Sequence, residues 1–131
     1  MVAEKTPSSF SLLLVEDDNI VCMVVGRMVA RKFPEAKVYT ADNGQVGLDL
    51  FREHVPRIVV TDINLPFMDG IEMASQIKMI NAETKFIVLT GYSDQSHLEK
   101  FKEIGFEEYM IKPVDFDKLF AAIEKCVPTA G

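Results

Sequence analysis

Five short apolar runs alternate with five stretches of helical periodicity, and this alternation limits the fold more than any other feature of the chain. The runs lie at 11–15, 38–41, 58–60, 85–90 and 109–112. Most are continuously apolar rather than alternating, which suits strands covered on both faces. Between them the apolar residues recur at helical spacing. Val21, Val24, Val25, Met28 and Val29 precede Pro34, and Leu48, Phe51 and Val55 precede Pro56. Met73, Ala74, Ile77 and Ile80 form the third stripe, Leu98 and Phe101 a thin fourth one over about 95–104. Phe116, Leu119, Phe120, Ile123 and Val127 follow Asp115, a candidate helix cap. Strands separated by helices can pair only in parallel, so a parallel sheet with helices on both faces is expected.

The chain has 131 residues, a length that suits one domain. That domain is expected over 10–127, with a loose lead-in over 1–9 and a frayed end over 128–131. The net charge of −6 disfavours nucleic acid or an anionic membrane as a direct partner. No apolar run approaches the ~18 residues of a spanning helix, and no signal-peptide core precedes Phe10, so a cytoplasmic location is expected. Cys22 and Cys126 have neither metal nor redox spacing and are expected as reduced thiols.

The chemistry gathers at strand ends. Every strand but the second ends on polar groups: Glu16-Asp17-Asp18, Asp62, Thr90 and Lys112. In a parallel sheet these ends share one edge, the edge where open α/β folds build their sites. Clustered carboxylates raise one another's pKa unless a cation sits among them. Glu16, Asp17 and Asp62 carry −3, Lys112 supplies +1, and a divalent cation would make the set neutral. Oxygen donors without His or Cys favour Mg²⁺ over zinc. Asp18 and Asp69 suit helix caps better than ligands. Asn43-Gly44 is a turn signal, Gly105 suits the residue just past the fourth helix, and His54 and His97 are expected at the surface.

Four segments, taken together, resemble response-regulator receiver domains. They are Leu14-Val15-Glu16-Asp17-Asp18, the run from Thr61 to Gly70, Val88-Leu89-Thr90-Gly91, and Tyr109-Met110-Ile111-Lys112-Pro113. Asp62 comes 45 positions after Asp17, and Lys112 comes 22 after Thr90. The resemblance implies a flavodoxin-like doubly wound (βα)5 fold with strand order 2-1-3-4-5. It also implies that Asp62 accepts a phosphoryl group from a phosphohistidine of a sensor histidine kinase or phosphotransfer protein. Asp17 and Asp62 would touch Mg²⁺ directly, Glu16 through water, and the Asn64 carbonyl would complete the set. Lys112 and Thr90 would bind the phosphoryl oxygens, and Tyr109 would follow Thr90 inward, changing the face made by helix four, strand five and helix five. The bond before Pro113 would be cis. Glu16 stands where Asp is commoner in the family, and Gly91 where Ala is.

Rival functions fit less well. A phosphatase of the haloacid-dehalogenase type needs a second acid two residues after its nucleophile, and that position is Asn64. A calcium loop fails because Pro66 and Phe67 replace a ligand and the obligatory glycine. A flavodoxin would not place Glu16-Asp17-Asp18 against a phosphate. A binding module of this fold that is never phosphorylated would not be expected to keep Asp62, Lys112 and both acids.

Overall fold

The computed structural model describes residues 9–127; the expected frayed end, and all of the expected lead-in except Ser9, lie outside the described residues. The elements are β1 (Phe10–Val15), α1 (Asn19–Lys32), β2 (Ala36–Ala41), α2 (Gly44–His54), β3 (Ile58–Asp62), α3 (Gly70–Ile80), β4 (Lys85–Thr90), a 3-10 turn (Tyr92–Asp94), α4 (Gln95–Ile104), β5 (Glu108–Ile111) and α5 (Phe116–Cys126). The strands form one parallel sheet in the order β2-β1-β3-β4-β5, the flavodoxin-like doubly wound arrangement expected from the sequence.

Strand periodicity divides the core between two layers. Leu12, Leu14, Ile58, Val60, Ile87 and Leu89 face α1 and α5. Their neighbours Leu13, Val15, Val59, Phe86 and Val88 face α2, α3 and α4. Successive side chains of a strand point to opposite faces. A central strand with helices on both sides must therefore be apolar throughout, as these are.

Several boundaries differ from the sequence expectation. β2 starts two residues earlier, at Ala36, and β5 spans Glu108–Ile111, leaving Lys112 just past the strand. Asn43 is the cap of α2, accepting from the Val46 amide, rather than part of a free turn. Val55, expected inward, is 45% exposed: it ends α2 in the left-handed region (φ 44°), which turns its side chain off the buried stripe. Val24, Met28 and Ile80 are also exposed, and α1 buries only Val25 and Val29. A helix on a sheet buries a stripe roughly 100° wide, and the apolar residues of α1 spread beyond it. Phe33, just past α1, joins the core through an edge-on contact with Phe10.

Two loops of the carboxyl edge are packed tightly enough to require glycine. A methyl group on Gly70 would overlap the Asp62 carbonyl, and one on Gly44 would overlap the Met68 carbonyl. Both obstacles are backbone and cannot swing aside. Gly70→Ala is therefore expected to cost about 3 kcal/mol in urea unfolding, the upper part of the range for overpacking. A cost below about 1 kcal/mol would mean the loop after β3 yields easily.

Candidate functional site

Parallel pairing sets the site. Asp62 pairs with Leu89 and Thr90 with Ile111, so the ends of β3, β4 and β5 are aligned within a residue or two. β1 joins them through Val15, paired with Thr61. The loop after β3 is closed by the Gly70 amide donating to the Ile63 carbonyl at 2.8 Å. Lys112 is tied to β4 by its own amide, which donates to the Thr90 carbonyl at 2.8 Å. The Lys112-Pro113 bond is cis.

These backbones bring together four of the residues singled out in the sequence. Glu16 is fully buried, Asp62 nearly so, and Asp17 exposed at the rim. One carboxylate oxygen from each lies within 4.8 Å of the others. The Lys112 ammonium lies 2.6 Å from Asp62 Oδ2, to which it donates, and 2.6 Å from Glu16 Oε1. Asp62 Oδ1 accepts a long bond from the Asn64 amide at 3.4 Å. Thr90 is buried at the end of β4, its hydroxyl donating to the Gly91 carbonyl at 3.1 Å. Tyr109 is 41% exposed, its ring edge-on to Phe106, and so stands outside the core.

The caps are separate from this cluster. Asp18 accepts from the amides of Ile20 and Val21, Asp69 from that of Glu72, and Asp115 from that of Lys118. His97 is exposed, and His54, also exposed, stacks on Tyr39 at 4.0 Å. Cys22 and Cys126 are free thiols, and burial raises the pKa of each. Among residues not singled out from the sequence, Asp94 is the notable one. It is a buried carboxylate that accepts from the Asn64 side-chain amide at 3.4 Å and from the Gly91 amide at 3.2 Å. Nothing in its sequence neighbourhood distinguishes it from a solvated loop acid.

Electrostatics place the strain on Glu16. Burial pushes its carboxyl above the ordinary range, the Lys112 ammonium and the Asp18 amide pull it back, and the Asp62 charge adds to the rise. Burial opposes charge on Lys112 too, but the two facing carboxylates outweigh it and hold its pKa above the ordinary value. Lys112 is thus a fixed cation serving two acids. Lys112→Met would leave Glu16 buried without a counter-charge, a change expected to cost about 3 kcal/mol at neutral pH. A raised folded-state pKa means the native protein holds a proton that the unfolded chain has already released. Stability then falls as pH rises through that interval. The variant should accordingly regain stability as the pH is lowered toward the Glu16 titration. A loss in urea titrations that does not depend on pH would remove Glu16 from this account.

The donor set fits a hard divalent cation. It holds three carboxylates and no sulfur or imidazole, and its acids outnumber its cation by two charges. Glu16 Oε1 is buried and faces the Lys112 ammonium at 2.6 Å, so one cation is shared between two buried acids. A second cation beside them would offset the remaining negative charge.

Residues 12–124 match the response regulator receiver domain family. The chain belongs to that family. It is 27% identical over 117 residues to sporulation initiation phosphotransferase F of Bacillus subtilis, covering 89% of this chain and 93% of that protein. It is 30% identical over 114 residues to the chemotaxis protein CheY of the same species, covering 87% and 94%. The structure superposes on a response regulator receiver domain from Clostridium thermocellum with a TM-score of 0.81 at 26% identity, covering 89% and 93%. The receiver is a signalling module of two-component systems, which works with kinases or phosphotransfer proteins. No helix among the described residues is long and apolar enough to cross a membrane.

Proposed function

We propose that this receiver, spanning 10–127, is the phosphoacceptor of a cytoplasmic His-Asp relay, with Asp62 as the accepting carboxylate. The observation that carries the reading is the pairing of Asp62 Oδ2 with Lys112 at 2.6 Å beside two further acids on the same sheet edge. A carboxylate oxygen of Asp62 attacks the phosphorus of a phosphohistidine on a sensor kinase or phosphotransfer protein. The P–N bond breaks as the P–O bond forms, and the imidazole leaves with the electron pair. Lys112, already protonated, pairs with the phosphoryl oxygens without having to gain a proton. Glu16, Asp17, Asp62 and the Asn64 carbonyl are the groups that would hold Mg²⁺. A bound Mg²⁺ would supply the positive charge that three carboxylates and an incoming phosphoryl group together lack.

Phosphorylation adds roughly −1.5 to −2 charge and new acceptor oxygens beside Asp62. The Thr90 hydroxyl, which donates to the adjacent Gly91 carbonyl at 3.1 Å, is a donor able to turn toward them. Its departure would leave room for Tyr109, which stands at the surface in the resting form. The face expected to change is α4, β5 and α5. Incubation with Mg²⁺ and acetyl phosphate should add one phosphoryl mass per chain, and a chain that gains none is not a phosphoacceptor. With beryllofluoride, amide shifts should spread from Asp62 through Thr90 into residues 94–120. Shifts confined to the loops at Asp17, Asp62 and Lys112 would remove the switch and leave the acceptor.

A further inference from the structure

Among the five α-helices of the described residues, α4 is the one without a side-chain cap. Asp18, Asn43, Asp69 and Asp115 each accept from an amide of the helix they begin. Asp94 ends a 3-10 turn (Tyr92–Asp94) that runs straight into α4, so its backbone is turned (φ −101°, ψ 12°) where the other four are extended, and its carboxylate makes no cap bond. It is turned away and buried, with Oδ2 on the Gly91 amide and Oδ1 on the Asn64 side chain. A cap bond needs extended backbone at the cap residue, so Asp94 can reach the first amides of α4 only when this turn unwinds.

Those partners sit on the loops that the proposed switch must move. Asn64 lies two residues after Asp62. Gly91 follows Thr90, and its carbonyl accepts both from the Thr90 hydroxyl and from the Asp94 amide, each at 3.1 Å. One carboxylate therefore ties the loop after the phosphoacceptor to the loop after the switch threonine. Gly91 belongs to the same arrangement, because a methyl group there would stand 3.3 Å from Asp94 Oδ2. An alanine there would need the Asp94 carboxylate to shift by a few tenths of an ångström.

We propose that Asp94 is a two-position latch: bonded to Gly91 and Asn64 in the resting receiver, and released to cap α4 when Thr90 turns to the phosphoryl group. This rests on Asp62 being the phosphoacceptor. Both positions satisfy the carboxylate, so the exchange lets α4 change its anchoring without leaving a buried charge unpaired. It also links chemistry at Asp62 to the start of α4 through a residue that contacts neither metal nor phosphoryl group.

The test uses beryllofluoride with Mg²⁺ on the parent protein and on Asp94→Ser. Serine caps a helix about as well as aspartate but is too short to reach Asn64. In the parent, hydrogen exchange at the Ser96 and His97 amides, where a cap would bond, should slow when beryllofluoride is added. In Asp94→Ser those amides should be slow beforehand, and half-saturation should need about tenfold less beryllofluoride, the worth of roughly one charge-assisted hydrogen bond. Mg²⁺ affinity without beryllofluoride should stay within about twofold, because Asp94 is not among the clustered acids. The latch stands only if both the exchange and the saturation change as stated. A parent that responds at Asp62 and Thr90 with unchanged exchange at Ser96 and His97 overturns the latch alone. A parent with no beryllofluoride response overturns the phosphoacceptor reading and the latch with it.

Discussion

Asp62→Asn should take up no phosphoryl group from acetyl phosphate under conditions where the parent gains one that is labile to base. An amide oxygen carries no charge and is a poor nucleophile toward phosphorus, so the loss should be complete by intact mass. The variant should still fold. Lys112 loses one partner but keeps Glu16 at 2.6 Å, and the repulsion between Asp62 and Glu16 disappears. The net change in stability is expected within about 1 kcal/mol. A folded Asp62→Asn protein labelled as fully as the parent would mean that another residue accepts the phosphoryl group.

Asp17→Ala should abolish both Mg²⁺ binding and labelling while leaving stability nearly unchanged. Asp17 is the exposed member of the acid cluster, so its removal uncovers no buried group. Replacing outer partners of a metal site commonly costs 10–100-fold in affinity, so loss of a direct ligand should cost at least about a hundredfold. Calorimetric titration with Mg²⁺ measures this directly. A variant that titrates like the parent would exclude Asp17 as a ligand. Selective loss in Asp17→Ala would separate the exposed ligand from Glu16, whose replacement also disturbs a buried ion pair.

The two predictions draw on different parts of the molecule. Asp62 is legible in the sequence because an acid at the end of a run such as Ile58-Val59-Val60 has no apolar reason to be there. Asp17 is legible only in company, since an exposed loop acid acquires meaning when strand order brings it to Asp62. The strand order itself followed from the resemblance and the parallel pairing that four crossovers impose. The helix stripes were less informative at their edges. Val55 kept the spacing of the α2 stripe but fell at the helix end, where left-handed backbone turned it outward.

The sequence by itself determined the alternation of strands and helices, the two-sided burial of the central strands, the family, and the polar groups at the strand ends. Each of these depends on periodicity or on short contiguous segments, which physical chemistry converts to structure locally. Only the tertiary structure decided that Lys112 serves Glu16 and Asp62 at equal distance, that Gly44 and Gly70 leave room for carbonyls from other segments, and that Asp94 is buried against Asn64 and Gly91. These are contacts between chain segments up to 96 positions apart, as from Glu16 to Lys112. Their partners are chosen by loop geometry and by the need to pair every buried charge, and neither leaves a periodic trace in the sequence.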